Sequence, residues 1–234
     1  MIPVTVIIPS YEPTEKLLAI VSLLREKTGY RIVIVDDGSG DRFRSFFYDA
    51  AALGCIILRH DVNRGKGAAL KTAFAWVIEN HPGEPVVCVD SDGQQRIEDI
   101  QKIAEAIEPD KREMVIGMRK FEGNVPIRSR FGNWVMRFLF HAVTGNFLYD
   151  TQNGLRGYPP SLLPWLISID GERFEYETNL LLHAKDAGVT FHEIRIQTIY
   201  ENNNKGSHYK AFRDSARIYR CLLNYRRTAN AVKS

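Results

Sequence analysis

The stretch Val86-Val87-Cys88-Val89-Asp90-Ser91-Asp92-Gly93-Gln94 decides the fold class of this chain. A short, valine-rich apolar run bounded by Pro85 predicts a buried strand. It stops at two carboxylates spaced i, i+2, followed by a glycine and an amide. In open α/β sheets ligands bind just beyond the carboxyl ends of the strands. Two hard oxygen donors placed there suit Mg2+ or Mn2+, held partly by the protein and partly by a substrate's phosphates. An isolated Asp-x-Asp is also what an ordinary solvated turn looks like. A second segment, however, ends the same way: Arg31-Ile32-Val33-Ile34-Val35-Asp36-Asp37-Gly38-Ser39 is an apolar run closing in two acids and a glycine turn. Two acid-tipped strands in one sheet point to a site.

Strand-like and helix-like segments alternate outward from these two runs. Val4–Ile8 reads as a strand, Glu15–Lys27 as an amphipathic helix and Ile32–Val35 as a strand. Helix Asp41–Leu53, strand Cys55–Leu58, helix Gly67–Glu79, strand Val86–Val89, helix Ile97–Ile107 and strand Met114–Gly117 follow. That alternation implies βαβ units and a mostly parallel sheet flanked by helices, an α/β fold. The second half is less regular. Ile127–Val143 reads as helical, Leu155–Tyr158 as a short strand, Phe174–Ala187 as a helix, Val189–Ile199 as a strand and Tyr209–Tyr225 as a terminal helix.

Composition places the chain among soluble globular proteins, with 44% hydrophobic and 25% charged residues. The N-terminus lacks the basic and apolar regions of a signal peptide, and no apolar run approaches the ~18 residues of a membrane span. Cys55, Cys88 and Cys221 are odd in number and widely spaced, as in a reduced protein. A cytoplasmic location is expected, either free or peripheral at the cytoplasmic face of the membrane. The net charge of +3 is unevenly spread: residues 205–234 hold eight basic side chains and one acid, so they carry +7 and residues 1–204 carry −4. A basic tail on a mildly acidic body points to an anionic surface or substrate. The expected organisation is a catalytic domain over 1–204 and a basic C-terminal helix over 205–234, packed on it or extending from it.

Five segments in order resemble the family-2 glycosyltransferases, and within them the dolichyl- and polyprenyl-phosphate sugar transferases. They are Ile7-Ile8-Pro9-Ser10-Tyr11-Glu12, Val35-Asp36-Asp37-Gly38-Ser39, Asn63-Arg64-Gly65-Lys66-Gly67-Ala68, Asp90-Ser91-Asp92-Gly93-Gln94 and Asp150-Thr151-Gln152-Asn153-Gly154-Leu155-Arg156. The resemblance implies a GT-A fold, a nucleotide-diphosphate sugar donor, Mg2+ or Mn2+, and inversion at the anomeric carbon. By the same resemblance Pro9, Tyr11, Glu12, Asp36, Asp37, Lys66, Asp90 and Ser91 would face the donor. Asp90, Asp92 and Gln94 would hold the metal, with Asp92 the direct ligand. The Asn63–Gly67 segment is not a Walker A, since neither Ser nor Thr follows Lys66. It reads equally as a nucleotide contact or as a glycine-rich helix entry.

On the acceptor side, Arg119, Arg128 and Arg130 match basic positions that grip phosphate in the resembling family, and guanidinium forks suit that task. Asp150, Gln152 and Asn153 would line the acceptor. A phosphate monoester is already an anionic nucleophile, whereas a sugar hydroxyl needs a general base. The candidate bases are Asp150, Glu175 and Glu177. The segment Phe174-Glu175-Tyr176-Glu177 lacks the Glu-Asp pair of many hydroxyl-directed members, which favours a polyprenyl phosphate over a glycan acceptor. The residues expected to take part in chemistry are thus Asp92, Arg119, Arg130 and Glu177. No nucleic-acid partner is expected. In the terminal helix Tyr209, Phe212, Ala216, Tyr219 and Leu223 share one face between Arg213, Arg217 and Arg220. Such a helix would lie on an anionic leaflet or cover the sheet. Two rival enzyme classes fit less well. Haloacid-dehalogenase-like phosphatases want Thr after Asp-x-Asp-Gly, and sugar-1-phosphate nucleotidyltransferases want a glycine-rich signature after the first strand. A non-catalytic glycan- or lipid-binding module stays open at this level.

Overall fold

The computed structural model describes residues 3–119, 137–145, 147–197, 220–223 and 225. Among these residues seven strands form one sheet: β1 (Thr5–Ser10), β2 (Arg31–Asp36), β3 (Ile56–Arg59), β4 (Val86–Cys88), β5 (Glu113–Arg119), β6 (Arg156–Tyr158) and β7 (Thr190–Ile196), in the order β3-β2-β1-β4-β6-β5-β7. The strands of β3-β2-β1-β4 run parallel, and so do β5 and β7. Only β6 is antiparallel, to β4 on one side and β5 on the other. The expected mostly parallel sheet is therefore present. Its antiparallel member arises because β6 begins where β4 ends, with Arg156 opposite Cys88.

Helices α1 (Glu15–Lys27), α2 (Arg44–Ala52) and α4 (Ile97–Glu105) cover one face; α3 (Lys66–Asn80), α5 (residues 137–144), α6 (Leu163–Ser168) and α7 (Glu175–Ala184) belong to the other. The period-2 alternation of the strands divides the core accordingly. Val6, Ile8, Ile32, Ile34, Val87 and Val89 meet Leu17, Ile20, Val21 and Leu24 of α1 and Ile97, Ile100 and Ile103 of α4. Ile7, Val33, Val35, Val86 and Cys88 meet Leu70, Ala73, Phe74 and Val77 of α3 and Leu180 and Leu181 of α7. Helix α1 spans the predicted residues because its apolar positions recur at i, i+3, i+4 and i+7, with Glu15 in the first turn and Arg25 and Lys27 in the last, complementing the helix dipole.

Several boundaries differ from the sequence expectation. The predicted helix over Asp41–Leu53 is a 3-10 turn, Asp41–Phe43, followed by α2. The third strand is displaced by one residue at each end, and β4 stops at Cys88, although the Val89 amide still donates to Ile7 O. Helix α6 and the 3-10 turn Pro160–Leu162 before it were not expected. The predicted helices over 127–143 and 209–225 fall largely outside the described residues. Of the tail, Leu222 is buried in the main core, Leu223 and Arg220 are exposed, and Tyr225 Oη donates to Asp186 Oδ2 at 3.1 Å. Among the described residues no helix is long and apolar enough to cross a membrane.

Candidate active site

The strand order reverses between β1 and β4: one leads through β2 to β3, the other toward β6 and β5. Such a switch point leaves a crevice at the carboxyl ends of the strands. Both acid-tipped segments end there.

Asp36 and Asp37 shape the first wall. Asp36 is buried; its Oδ1 accepts the Ser39 amide at 2.9 Å and its Oδ2 accepts Arg59 Nε at 3.0 Å. Asp37, also buried, accepts the Arg64 amide at 2.9 Å and the Gly65 amide at 2.7 Å. His60 Nδ1 lies 2.8 Å from Asp37 Oδ1 and its Nε2 lies 2.9 Å from Thr72 Oγ1. With Nδ1 protonated, the ring donates to Asp37 and accepts from Thr72. Asp37 thus fixes the turn that launches α3. Gly65 is required in that turn: its φ is +110°, and a Cβ would lie 2.6 Å from Glu172 O. Pro9, Tyr11 and Glu12 are half-buried on the same rim. Glu12 has φ +49°, its amide donates to Ser39 Oγ at 2.9 Å, and its carboxylate pairs with Arg42 at 3.1 Å. Burial, then the neighbouring Glu12 carboxylate, pushes the Tyr11 hydroxyl up.

The second wall is the end of β4. Asp90 Oδ1 accepts Lys66 Nζ at 2.7 Å, and its Oδ2 accepts Gln95 Nε2 at 3.0 Å. Lys66 Nζ also reaches Glu177 Oε2 of α7 at 2.8 Å. Burial alone would lift the Asp90 carboxyl; the Lys66 charge, the hydrogen bonds from Lys66 and Gln95, and Arg119 together hold it below the usual carboxylate range. Asp92 moves the other way, raised by burial and then by the like charge of Asp90, against the Gln94 amide that donates to its Oδ1 at 3.0 Å. Burial likewise opposes charge on Lys66, and the Asp90 and Glu177 carboxylates overcome it, so the ammonium stays protonated. Ser91 and Gln94 are half-buried beside this pair.

These residues suit a divalent cation. Asp90 and Asp92 offer hard oxygen donors of one sign in close company, and the buried Gln95 Oε1 has no hydrogen-bond partner among the described residues. Among the described residues no cluster of three or more His, Cys, Asp or Glu side chains could hold a metal ion. A cation at Asp90 and Asp92 would take its other oxygens from phosphates and water.

The third wall arrives from β5 and β6. Arg119 grips the fully buried Asp150 through Nε at 2.6 Å and Nη2 at 3.0 Å, while the Gln152 amide caps Asp150 Oδ1 at 3.1 Å. Asn153 is buried; it donates to Gly117 O at 2.6 Å and accepts the Leu155 amide at 3.2 Å. Asp150 and Asn153 therefore spend their polar atoms on the chain itself, and Gln152 is exposed. Arg128 and Arg130 lie outside the described residues. Sequence reasoning assigned no role to Gln95, Gly154 or Arg156. Gly154 sits against Asp90, and Arg156, fully buried, donates to Asn153 O, Thr151 O and Glu177 O at 3.0, 3.3 and 3.1 Å. The signal for Gly154 and Arg156 was their place inside the Asp150–Arg156 segment.

Comparison with known proteins follows this geometry. The sequence profile of glycosyl transferase family 2 matches residues 5–158. An uncharacterized protein of Methanocaldococcus jannaschii is 31% identical over 201 residues, 83% of this chain and 81% of its own length. The UDP-N-acetylglucosamine–dolichyl-phosphate N-acetylglucosaminyltransferase of Methanococcus voltae is 29% identical over 213 residues, 83% of this chain and 84% of its own. Among solved structures, glucosyl-3-phosphoglycerate synthase of Mycobacterium tuberculosis, in complex with Mn2+, UDP and glucosyl-3-phosphoglycerate, aligns with a TM-score of 0.68 at 17% identity, covering 96% of this chain and 80% of its own. That last likeness is one of fold.

Proposed function

The chain belongs to glycosyl transferase family 2, and on that premise we propose that it moves a hexose, with inversion, from a nucleotide-diphosphate sugar to a polyprenyl phosphate. One observation carries the choice of acceptor. Two of the three carboxylates that would serve a hydroxyl acceptor as base are ion-paired, Asp150 by the Arg119 fork and Glu177 by Lys66 at 2.8 Å, while Glu175 accepts the Glu172 and Arg173 amides at 3.3 and 3.2 Å on Oε1 alone. A phosphate nucleophile needs none of them, because no proton has to be removed. The Methanococcus voltae relative, a dolichyl-phosphate N-acetylglucosaminyltransferase, supports the same acceptor class.

In this reading a phosphate oxygen attacks the anomeric carbon. The bond from that carbon to the donor's diphosphate breaks, and the nucleoside diphosphate leaves with the electron pair; one displacement inverts the centre. Asp90 and Asp92 would hold Mg2+ or Mn2+, with Gln94 at hand. When bound, the ion supplies Lewis-acid stabilisation of the charge on the departing diphosphate. The Asp37-anchored turn and the Pro9–Glu12 rim flank the nucleotide. Arg119, fixed by Asp150, presents positive charge at the end of β5 toward the incoming phosphate.

The test incubates the protein with labelled donors, Mn2+ and a short-chain polyprenyl phosphate. A labelled product soluble in organic solvent is expected. Absence of that product, alongside transfer to a sugar hydroxyl, moves the chain to polysaccharide synthesis and makes one of its acids the base.

A further inference from the structure

We propose that Lys66 is a positioning residue that acts through Asp90 as an internal counter-cation, its ammonium shared between Asp90 and Glu177 so that it competes with a divalent ion for Asp90 and holds down the affinity of the site for that ion. This deepens the reading of Asp90 and Asp92 as a cation site and rests on it.

Lys66 is built into the site and is not a free arm. It is the first residue of α3, and the two amides before it, those of Arg64 and Gly65, are spent on Asp37. Its side chain is 15% exposed, and its nitrogen lies 2.7 Å from Asp90 Oδ1 and 2.8 Å from Glu177 Oε2. A lysine kept for a nucleotide's phosphate would hold its ammonium open to the crevice; this one is enclosed by two carboxylates. Gly154 closes the arrangement from a third side. A Cβ there would lie 2.5 and 2.7 Å from the Asp90 oxygens and 2.8 Å from Lys66 Nζ, so only glycine lets the 153–155 backbone lie over the pair. The acceptor-side segment and the donor-side helix therefore meet at one ion pair.

The charge arithmetic makes the inference testable. Asp90, Asp92 and Glu177 bring three formal negative charges, offset by Lys66 between Asp90 and Glu177 and by Lys16 near Asp92. Lys66→Met removes one positive charge and the competitor for Asp90 Oδ1. Glu177→Gln removes one negative charge and leaves Lys66 to Asp90 alone. The two substitutions should act in opposite directions, whereas damage to a merely structural contact would weaken binding in both.

The measurement is Mn2+ affinity without nucleotide, from the electron paramagnetic resonance signal of free Mn2+ at low ionic strength, on variants whose folding is checked by circular dichroism. Lys66→Met should bind Mn2+ about ten-fold more tightly and Glu177→Gln about ten-fold more weakly, the scale of one unit charge nearby in a partly screened site. The double variant should return close to the wild type. Mn2+ binding unchanged or weakened in Lys66→Met overturns the proposal, as does a loss of metal-free UDP affinity in that variant, which would make Lys66 a nucleotide ligand. If Lys66→Met does not fold, unchanged affinity in Glu177→Gln overturns it alone. A wild type that binds no Mn2+ removes the cation reading itself and this inference with it.

Discussion

Arg156 and Asp92 are opposite solutions to placing charge near a closed sheet. Among the described residues no carboxylate is ion-paired with the Arg156 guanidinium, which donates to the carbonyl oxygens of Asn153, Thr151 and Glu177. Burial works against its charge, while Tyr158 and Glu177 favour it strongly enough to keep it. It can thus pin three segments around the crevice without claiming an acid that the chemistry needs. Asp92 is held more lightly: among the described residues its carboxylate accepts one backbone hydrogen bond, from Gln94, and burial and then Asp90 raise it. Such a group is readily recruited by a cation, which would relieve the like-charge conflict. Asp92→Asn should therefore leave the melting temperature near that of the wild type and lower transfer by about 10²–10³-fold, the size of losing one preorganised charge-stabilising group. Calorimetry should show weaker Mn2+-dependent donor binding. Unchanged metal-dependent affinity would remove Asp92 from the metal site.

Helices α3 and α7 carry the alignment of Lys66 with Glu177, and their close approach depends on Gly67. A Cβ at Gly67 would lie 2.5 Å from Tyr176 Cβ and 2.9 Å from the Glu172 carbonyl carbon, while Tyr176 itself is tied through its hydroxyl to Leu166 O at 2.7 Å. Gly67→Ala gains about 1 kcal/mol of helix propensity but overpacks this contact at about 1–3 kcal/mol. The expected net is a lower melting temperature and reduced transfer, as α7 carries Glu177 away from Lys66. Gly29→Ala is the control, because nothing lies within 4 Å of the added carbon. An equal response in both would show that α7 adapts freely. Elements of this kind mark where the sequence was legible. The strands and helices of the first half follow from local hydrophobic period, and α1 was read to the residue. The position of β6 between β4 and β5 was not, because pairing Cys88 with Arg156 is a long-range choice that no local pattern records. The partners of Lys66 were missed for the same reason: glycine spacing shows that a turn is tight, and only the packed sheet shows which acids it faces.

Across the whole molecule, charge and exposed aromatics are unevenly distributed. The +7 of residues 205–234 contrasts with −4 on the rest. On α5 and the loop after it, Phe138, Phe147 and Tyr149 are 62%, 52% and 51% exposed, and the Arg137 guanidinium stacks over Phe147 and Tyr149 at 5.4 and 5.0 Å. Arginine among exposed aromatics suits a membrane interface, where each basic residue near an anionic surface contributes about 1 kcal/mol. Vesicles containing acidic lipid should bind the protein at low salt and release it as salt rises; sedimentation measures this, and binding indifferent to both salt and lipid charge would refute a peripheral electrostatic contact. The antiparallel strand β6 has a further consequence in time. The ribosome makes both acid-tipped segments early, yet β4 and β5 are joined only through β6, which is made after both. Until β6 pairs, a growing chain carries the acid-tipped end of β4 on an open sheet edge, the kind of edge most exposed to mispairing. In the finished sheet β6 closes that edge, Gly154 lies over Asp90 and Arg156 is buried, so the last-made strand of the β4-β6-β5 run completes the sheet and the crevice together.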